Sequence, residues 1–358
     1  MATARQAARA GDNGFEIKCI EIFDIHNDNI SDIVKFRAIG NICLFSVLDM
    51  KNFLVRLLIY FVLVFATLIP TDKIISDRLR HSDDRIFKSW NDIYFNKLDN
   101  DVIINGSSRA WVQYDPAILD SILNTDSYNL GIDGSEINRQ IIKYKTYCRV
   151  QNHSPKLLIQ NIDFSTIGNT FGYEREQFFP YFHYDEILIE EIDKYENFNW
   201  FEKYIPFYRY FGCNYLIRNP FAIFNSENIL YKGFHGYDKV WDGIEYHKQK
   251  NINYGQDSES LKLFIDFISD VQSNGTKIIF VYAPLYIGAT NKIANIEGMY
   301  EMFDTIARKY DIPILDYNYN PISYDTAYFY NAMHLNKMGS ELFSIKLAHD
   351  IDSLGILK

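Results

Sequence analysis

The sequence predicts the α/β class: a three-layer α/β/α sandwich in which helices cover both faces of a parallel sheet of five main strands. Three observations carry this. Short apolar runs alternate with stretches of helical periodicity, the signature of βαβ units. Two of those runs, 156–162 (KLLIQNI) and 277–282 (KIIFVY), are nearly continuous, as strands buried on both faces require. Asn-Gly and Asp-Gly pairs punctuate the boundaries.

In chain order, residues 1–49 come first and lack clear periodicity, opening on an Ala, Arg and Gly-rich stretch unlike anything later. Met50, Lys51 and Asn52 read as a natural bacterial start. Residues 1–49 are therefore set apart as an over-extended N-terminal segment, a genuine cytoplasmic tail being the alternative. Residues 50–70 read as a transmembrane helix. Its core, 53–69 (FLVRLLIYFVLVFATLI), is apolar on every face except at Arg56 and Thr67, begins beside Lys51 and Arg56, and stops at Pro70. About 17 residues is the short end for a span, and a buried core helix can look similar. The positive flank places the N-terminal side in the cytoplasm. No small-residue cleavage site follows, which favours an uncleaved signal anchor over a cleaved peptide. The expectation is a single-pass protein of the bacterial inner membrane, with its bulk facing the periplasm or the outside.

Residues 71–98 are polar with scattered Ile, Phe, Trp and Tyr, and read as a stalk or short helix. The soluble domain is 99–358. Strands are expected at 101–104, 127–130, 156–162, 277–282 and 312–315. Helices are expected around 118–122, 137–144, 261–268, 296–309 and 337–351, with Ser135 capping the second and Asn274-Gly275 closing the third. Between about 168 and 255 the rhythm fails. That stretch is too long for a plain crossover and too aromatic for disorder, so it reads as an inserted subdomain forming one wall of a cleft.

Composition excludes some functions. A net charge of −10 with no basic run argues against nucleic acid. The four cysteines, Cys19, Cys43, Cys148 and Cys213, have neither CxxC nor metal-ligand spacing. Cys148 and Cys213 either pair outside the cytoplasm or stay as separate thiols. No metal or cofactor is expected. The 27 Tyr and 27 Phe suit a sugar- or protein-binding surface, or reflect an AT-rich genome.

Two places carry chemistry. Gly106-Ser107-Ser108 follows the first strand and opens a helix, so a serine projects from the carboxyl end of a parallel strand, where open α/β sheets build their sites. Helix-terminal N–H groups there suit a developing oxyanion. His334 sits at a loop-to-helix junction that core packing explains poorly, whereas His153 and His247 lack any comparable context.

NGSSRA (105–110), YNLGIDG (128–134) and NAMHLNKMG (331–339) resemble, in order and separation, the first, second and last signature blocks of the SGNH/GDSL hydrolase superfamily. The similarity covers about 100–165 and 255–355. In style it is similar to membrane-anchored bacterial members found with polysaccharide O-acylation systems. The resemblance implies a flavodoxin-like five-stranded sheet, Ser108 as nucleophile and His334 as base. It implies an oxyanion hole from the Ser108 and Gly134 N–H groups and the Asn161 side chain, although the usual Gly-x-Asn-Asp is absent. Ser107 replaces the Asp of Gly-Asp-Ser. Asn331 replaces the Asp three residues before the histidine, leaving an amide to orient the ring, with Asp325 and Asp163 as substitutes. The implied function is ester hydrolysis or O-acyl transfer, such as O-acetyl chemistry, on an acylated carbohydrate or small acyl ester outside the cytoplasm. A membrane-bound acyltransferase is the implied partner. The alternative is a non-catalytic glycan-binding or accessory protein of such a system.

Overall fold

Five short runs pair side by side into one all-parallel sheet in the computed structural model, which describes residues 47–357 apart from 165, 169–173, 214–215, 217–230 and 244–256. Before the sheet come helices α1 (Val47–Arg80) and α2 (Arg85–Phe95). Next are β1 (Val102–Asn105), α3 (Ser108–Gln113), α4 (Pro116–Leu123), β2 (Ser127–Asn129), α5 (Ile137–Gln151) and β3 (Leu157–Asn161). The region between β3 and β4 contributes α6 (Glu186–Glu196), α7 (Trp200–Tyr204) and then α8 (Ser258–Ser273). The chain ends with β4 (Lys277–Tyr282), α9 (Ile296–Tyr310), β5 (Ile314–Asp316), a hairpin of β6 (Phe329–Asn331) and β7 (His334–Leu335), and α10 (Lys337–Leu354).

The strand order is β2-β1-β3-β4-β5. This is the doubly wound order whose ligands bind beyond the carboxyl ends of β1 and β3. Register sets Ile103 beside both Tyr128 and Leu158, and Leu158 beside Ile278. Because successive side chains alternate faces, Ile103, Leu158, Ile278 and Phe280 pack with α2, α5, α8 and α9. Val102, Ile104, Leu157, Ile159, Ile279 and Val281 pack on the other face with α4 and α10. Both faces are apolar, which explains why the strands lack polar alternation.

The chain divides into two compact units, up to Leu68 and from Ile69 onward. In the first, side chains from Phe53 to Val64 such as Leu58, Tyr60 and Val62 are exposed. Among the described residues one helix is long and apolar enough to cross a membrane. Residues 1–46 of the expected N-terminal segment, Cys19, Cys43 and His247 lie outside the described residues.

Four details differ from the sequence reading. Helix α1 does not stop at Pro70 but continues to Arg80. An interior proline costs about 3 kcal/mol, and here tertiary contacts offset it. Arg209 grips Asp72 with both terminal nitrogens, and Ile75 and Leu79 are buried. For the same reason 71–98 is more than a stalk: Phe87, Trp90 and Ile93 join the core. The N-cap of α5 is Glu136 rather than Ser135, because the chain stays extended one residue longer. Within the expected insertion, 174–211 packs on α2 and α5 through Phe178, Tyr181 and Phe198, and among the described residues 231–241 approaches the carboxyl edge of the sheet. Cys148 and Cys213 are free thiols.

Candidate active site

The turn after β1 is built around Gly106. Its φ is +153°, and a Cβ there would stand 2.8 Å from Ala110 Cβ and 2.9 Å from Asn161 Cβ. Only glycine lets α3 start this close to β3. Ser107 is the N-cap and Ser108 the first helical residue. As a first-turn residue, Ser108 has no carbonyl in its own helix for its N–H.

The turn after β2 is stapled alongside. Ile132 N–H donates to Gly106 O at 3.1 Å, and Leu130 N–H to Ile104 O at 2.8 Å. Gly131 meets α3 so closely that a Cβ would lie 2.4 Å from Trp111 N. Gly134 closes this turn at φ 60°; burial raises the pKa of the neighbouring Asp133, opposed in part by Arg85 and by a hydrogen bond from the Gly134 N–H.

His334 arrives from the far end of the chain. The β6–β7 hairpin pairs Asn331 directly opposite His334. Asn336 pins that hairpin to α10: its Oδ1 accepts from Gly339 N–H at 3.0 Å while its Nδ2 donates to Ala327 O at 2.7 Å. His334 Nε2 then lies 2.8 Å from Ser108 Oγ, and His334 Nδ1 lies 3.0 Å from Asn331 Oδ1.

The tautomer follows from the network. Asn331 Oδ1 already accepts Met333 N–H at 2.9 Å, so that atom is the amide oxygen. An amide oxygen only accepts, so Nδ1 carries the proton and Nε2 presents a lone pair to the Ser108 hydroxyl. Burial, with a smaller contribution from the Arg109 guanidinium, pushes the His334 pKa down to about 3. The ring is therefore neutral at physiological pH. Tyr330 stacks on it, with centroids 5.4 Å apart and planes 9° apart.

Asn161 sits at the end of β3 and is buried. Its Oδ1 accepts from Tyr114 Oη at 2.7 Å and its Nδ2 donates to Asp163 at 2.9 Å, leaving the second Nδ2 hydrogen for another acceptor. Asp163 also accepts from Ser107 Oγ at 3.4 Å and lies 3.7 Å from Arg109 Nη1. Asp325 is exposed and caps a short turn through Ala327 N–H at 2.9 Å. Both ring nitrogens of His334 are thus occupied without Asp163 or Asp325, and neither stands in for Asn331.

Several neighbours were not singled out in the sequence. Arg109 is 4 % exposed and donates to Ala283 O, and burial of this kind has no sequence signal. Tyr330, Tyr237, His235 and Trp111 form a ladder of ring contacts leading away from His334. His153 instead bonds to Asn100 O, ahead of β1 at the opposite edge of the sheet. Among the described residues no group of three or more His, Cys, Asp or Glu is arranged to hold a metal ion.

No family model and no curated protein matches the chain. Solved structures do. An acylhydrolase-assigned protein from Bacteroides fragilis matches with TM-score 0.38 and 13% identity, over 72% of this chain and 88% of that one. A protein assigned to the G-D-S-L lipolytic family from Desulfitobacterium hafniense matches with TM-score 0.37 and 11% identity, over 70% and 99%. The acetyl xylan esterase AlAXEase matches with TM-score 0.37 and 11% identity, over 71% and 98%. Likeness at this level bears on neither substrate nor site residues.

Proposed function

We propose that this chain is a serine ester hydrolase or O-acyltransferase acting on acylated glycans outside the cytoplasm, held by a single membrane helix at 53–69. The observation that carries the reading is the continuous chain Ser108 Oγ–His334–Asn331, closed by contacts of 2.8 and 3.0 Å. Neutral His334 removes the Ser108 proton as Oγ attacks the acyl carbon, and the carbonyl oxygen becomes an oxyanion. Ser108 N–H, Gly134 N–H and the second Asn161 Nδ2 hydrogen are the proposed donors, the Gly134 N–H having first to leave the Asp133 carboxylate it faces; such a donor is worth about 3–4 kcal/mol when aimed at that oxygen. Imidazolium returns its proton to the departing alcohol, leaving an acyl-serine. Water or a sugar hydroxyl then attacks, again deprotonated by His334, and Ser108 regains its proton. Hydrolysis and transfer differ only in that second acceptor.

One feature favours a second reading, a non-catalytic accessory of a membrane-bound acyltransferase: Asn331 supplies no charge to stabilise imidazolium. Labelling of the full chain with a serine-directed phosphonate, together with turnover of a small acyl ester, separates the two. Wild type is expected to label and turn over, and Ser108→Ala to do neither while melting at the same temperature. Equal labelling of both proteins would sink the nucleophile assignment.

A further inference from the structure

Five aromatic side chains stand open on one short stretch of unit two. Trp200, Phe201, Tyr204, Tyr208 and Phe211 are 59, 52, 64, 42 and 84% exposed. They touch one another: Trp200 meets Phe201 at 5.4 Å and Tyr204 at 5.6 Å, Phe201 meets Tyr208 at 5.4 Å, and Tyr208 stacks on Phe211 at 6.4 Å. Single exposed apolar residues are ordinary, but a contiguous patch marks an interaction surface.

The patch is firmly built. A capping box between Asn199 and Glu202 sets the start of α7. Phe207 holds a left-handed backbone at φ 69°, and its N–H donates to Asp72 at 2.7 Å. Beneath the rings, buried Arg209 binds Asp72 and buried Tyr210 contacts Ser76 Oγ at 2.8 Å. Asp72 lies three residues past Ile69, about 4.5 Å along a helix. The patch is therefore fastened to the first turn after the apolar run ends.

We infer that this patch docks on the lipid headgroup interface of the bilayer that 53–69 spans, an inference that rests on the membrane reading above. A span ending at Ile69 leaves the next turn at headgroup depth. Trp and Tyr rings, apolar in body and polar at one end, favour that layer. Lys73, exposed on the first turn past the run, lies within reach of lipid phosphates. A second copy of the chain is the competing occupant, and the quenching experiment below separates it from lipid.

The test uses the full chain in phosphatidylcholine vesicles. Of its four tryptophans, Trp90, Trp111 and Trp241 are buried, so Trp200 alone is open to a quencher. A nitroxide carried near the lipid headgroup is expected to remove about a quarter of the tryptophan emission, and that loss should vanish in Trp200→Phe. Aqueous iodide should leave Trp200 untouched. Iodide quenching without nitroxide quenching would mean that the patch faces water. Protection from both would mean that protein covers it, this chain or a second copy. Either result overturns the inference. Alkaline carbonate extraction tests the anchor separately: release from the membrane defeats the anchor reading, whereas retention with an iodide-accessible Trp200 defeats the patch alone.

Discussion

At the scale of single residues, the unusual feature is a histidine, the proposed base, held far below its normal pKa and bonded to a neutral group. The pH dependence follows with a definite sign. In the proposed mechanism His334 works in its neutral form, and burial, with a smaller contribution from Arg109, holds its pKa down at about 3. The acid limb of kcat/KM should therefore fall near pH 3 rather than near 6.5. Because the unfolded histidine binds its proton near pH 6.5, this group also costs stability as pH drops from 6.5 towards 3. A base so depressed is also a weak one. Asn331→Asp would place a carboxylate against Nδ1–H, favour imidazolium and move the acid limb towards neutrality. We expect turnover at neutral pH to rise about tenfold, equivalent to about 1.4 kcal/mol of barrier. Rates and pH profiles of wild type, Asn331→Asp and Asn331→Ala check this, and identical profiles in all three would remove Asn331 from the mechanism. The motif blocks were enough to single out Ser108, His334 and Asn331. Tyr330 and Arg109 were not legible, because ring stacking and burial depend on which segments meet.

At the scale of elements, strands were the most legible part, since β1, β3 and β4 are short runs rich in Val, Ile and Leu. Helix ends were less so. Pro70 is a strong local stop, yet α1 runs ten residues beyond it because Asp72 and Ser76 find partners 130 or more positions away. The hairpin that pairs Asn331 with His334 is likewise hidden, since its strands are only three and two residues long. If Asp72 and Arg209 offset the proline, Asp72→Ala should be strongly destabilising. It would leave the 3% exposed Arg209 charged without its carboxylate partner, at a cost of about 3–5 kcal/mol. Replacing both residues, as in Asp72→Leu with Arg209→Met, should cost clearly less. Denaturant unfolding in detergent compares them, and a single variant within about 0.5 kcal/mol of wild type would show that the pair does not hold the helix.

At the scale of the whole molecule, the site needs both ends of the soluble domain. Ser108 follows β1 and His334 precedes α10, 226 positions later, so the Ser108–His334 contact does not exist until β1, β3 and β4 are in register and α10 has docked. Such a domain folds as a unit, and on our reading of 53–69 as a membrane span the N-terminal segment decides on which side it folds. Lys51 and Arg56 precede or open the apolar run, which we read as its cytoplasmic end, while Lys73, Arg78 and Arg80 follow the other end. The chain beyond Ile69 is then expected outside the cytoplasm, the side on which the proposed glycan substrate would be met. Fusing two reporters after Lys358 tests this, one active only outside the cytoplasm and one only within it. We expect activity from the first alone. Because the full apolar run is retained, the measurement reads topology directly, independent of whether Ser108 acts on an ester. Activity from the cytoplasmic reporter would overturn the orientation, and with it a glycan outside the cytoplasm as substrate, while leaving the Ser108–His334 chemistry to be judged on its own.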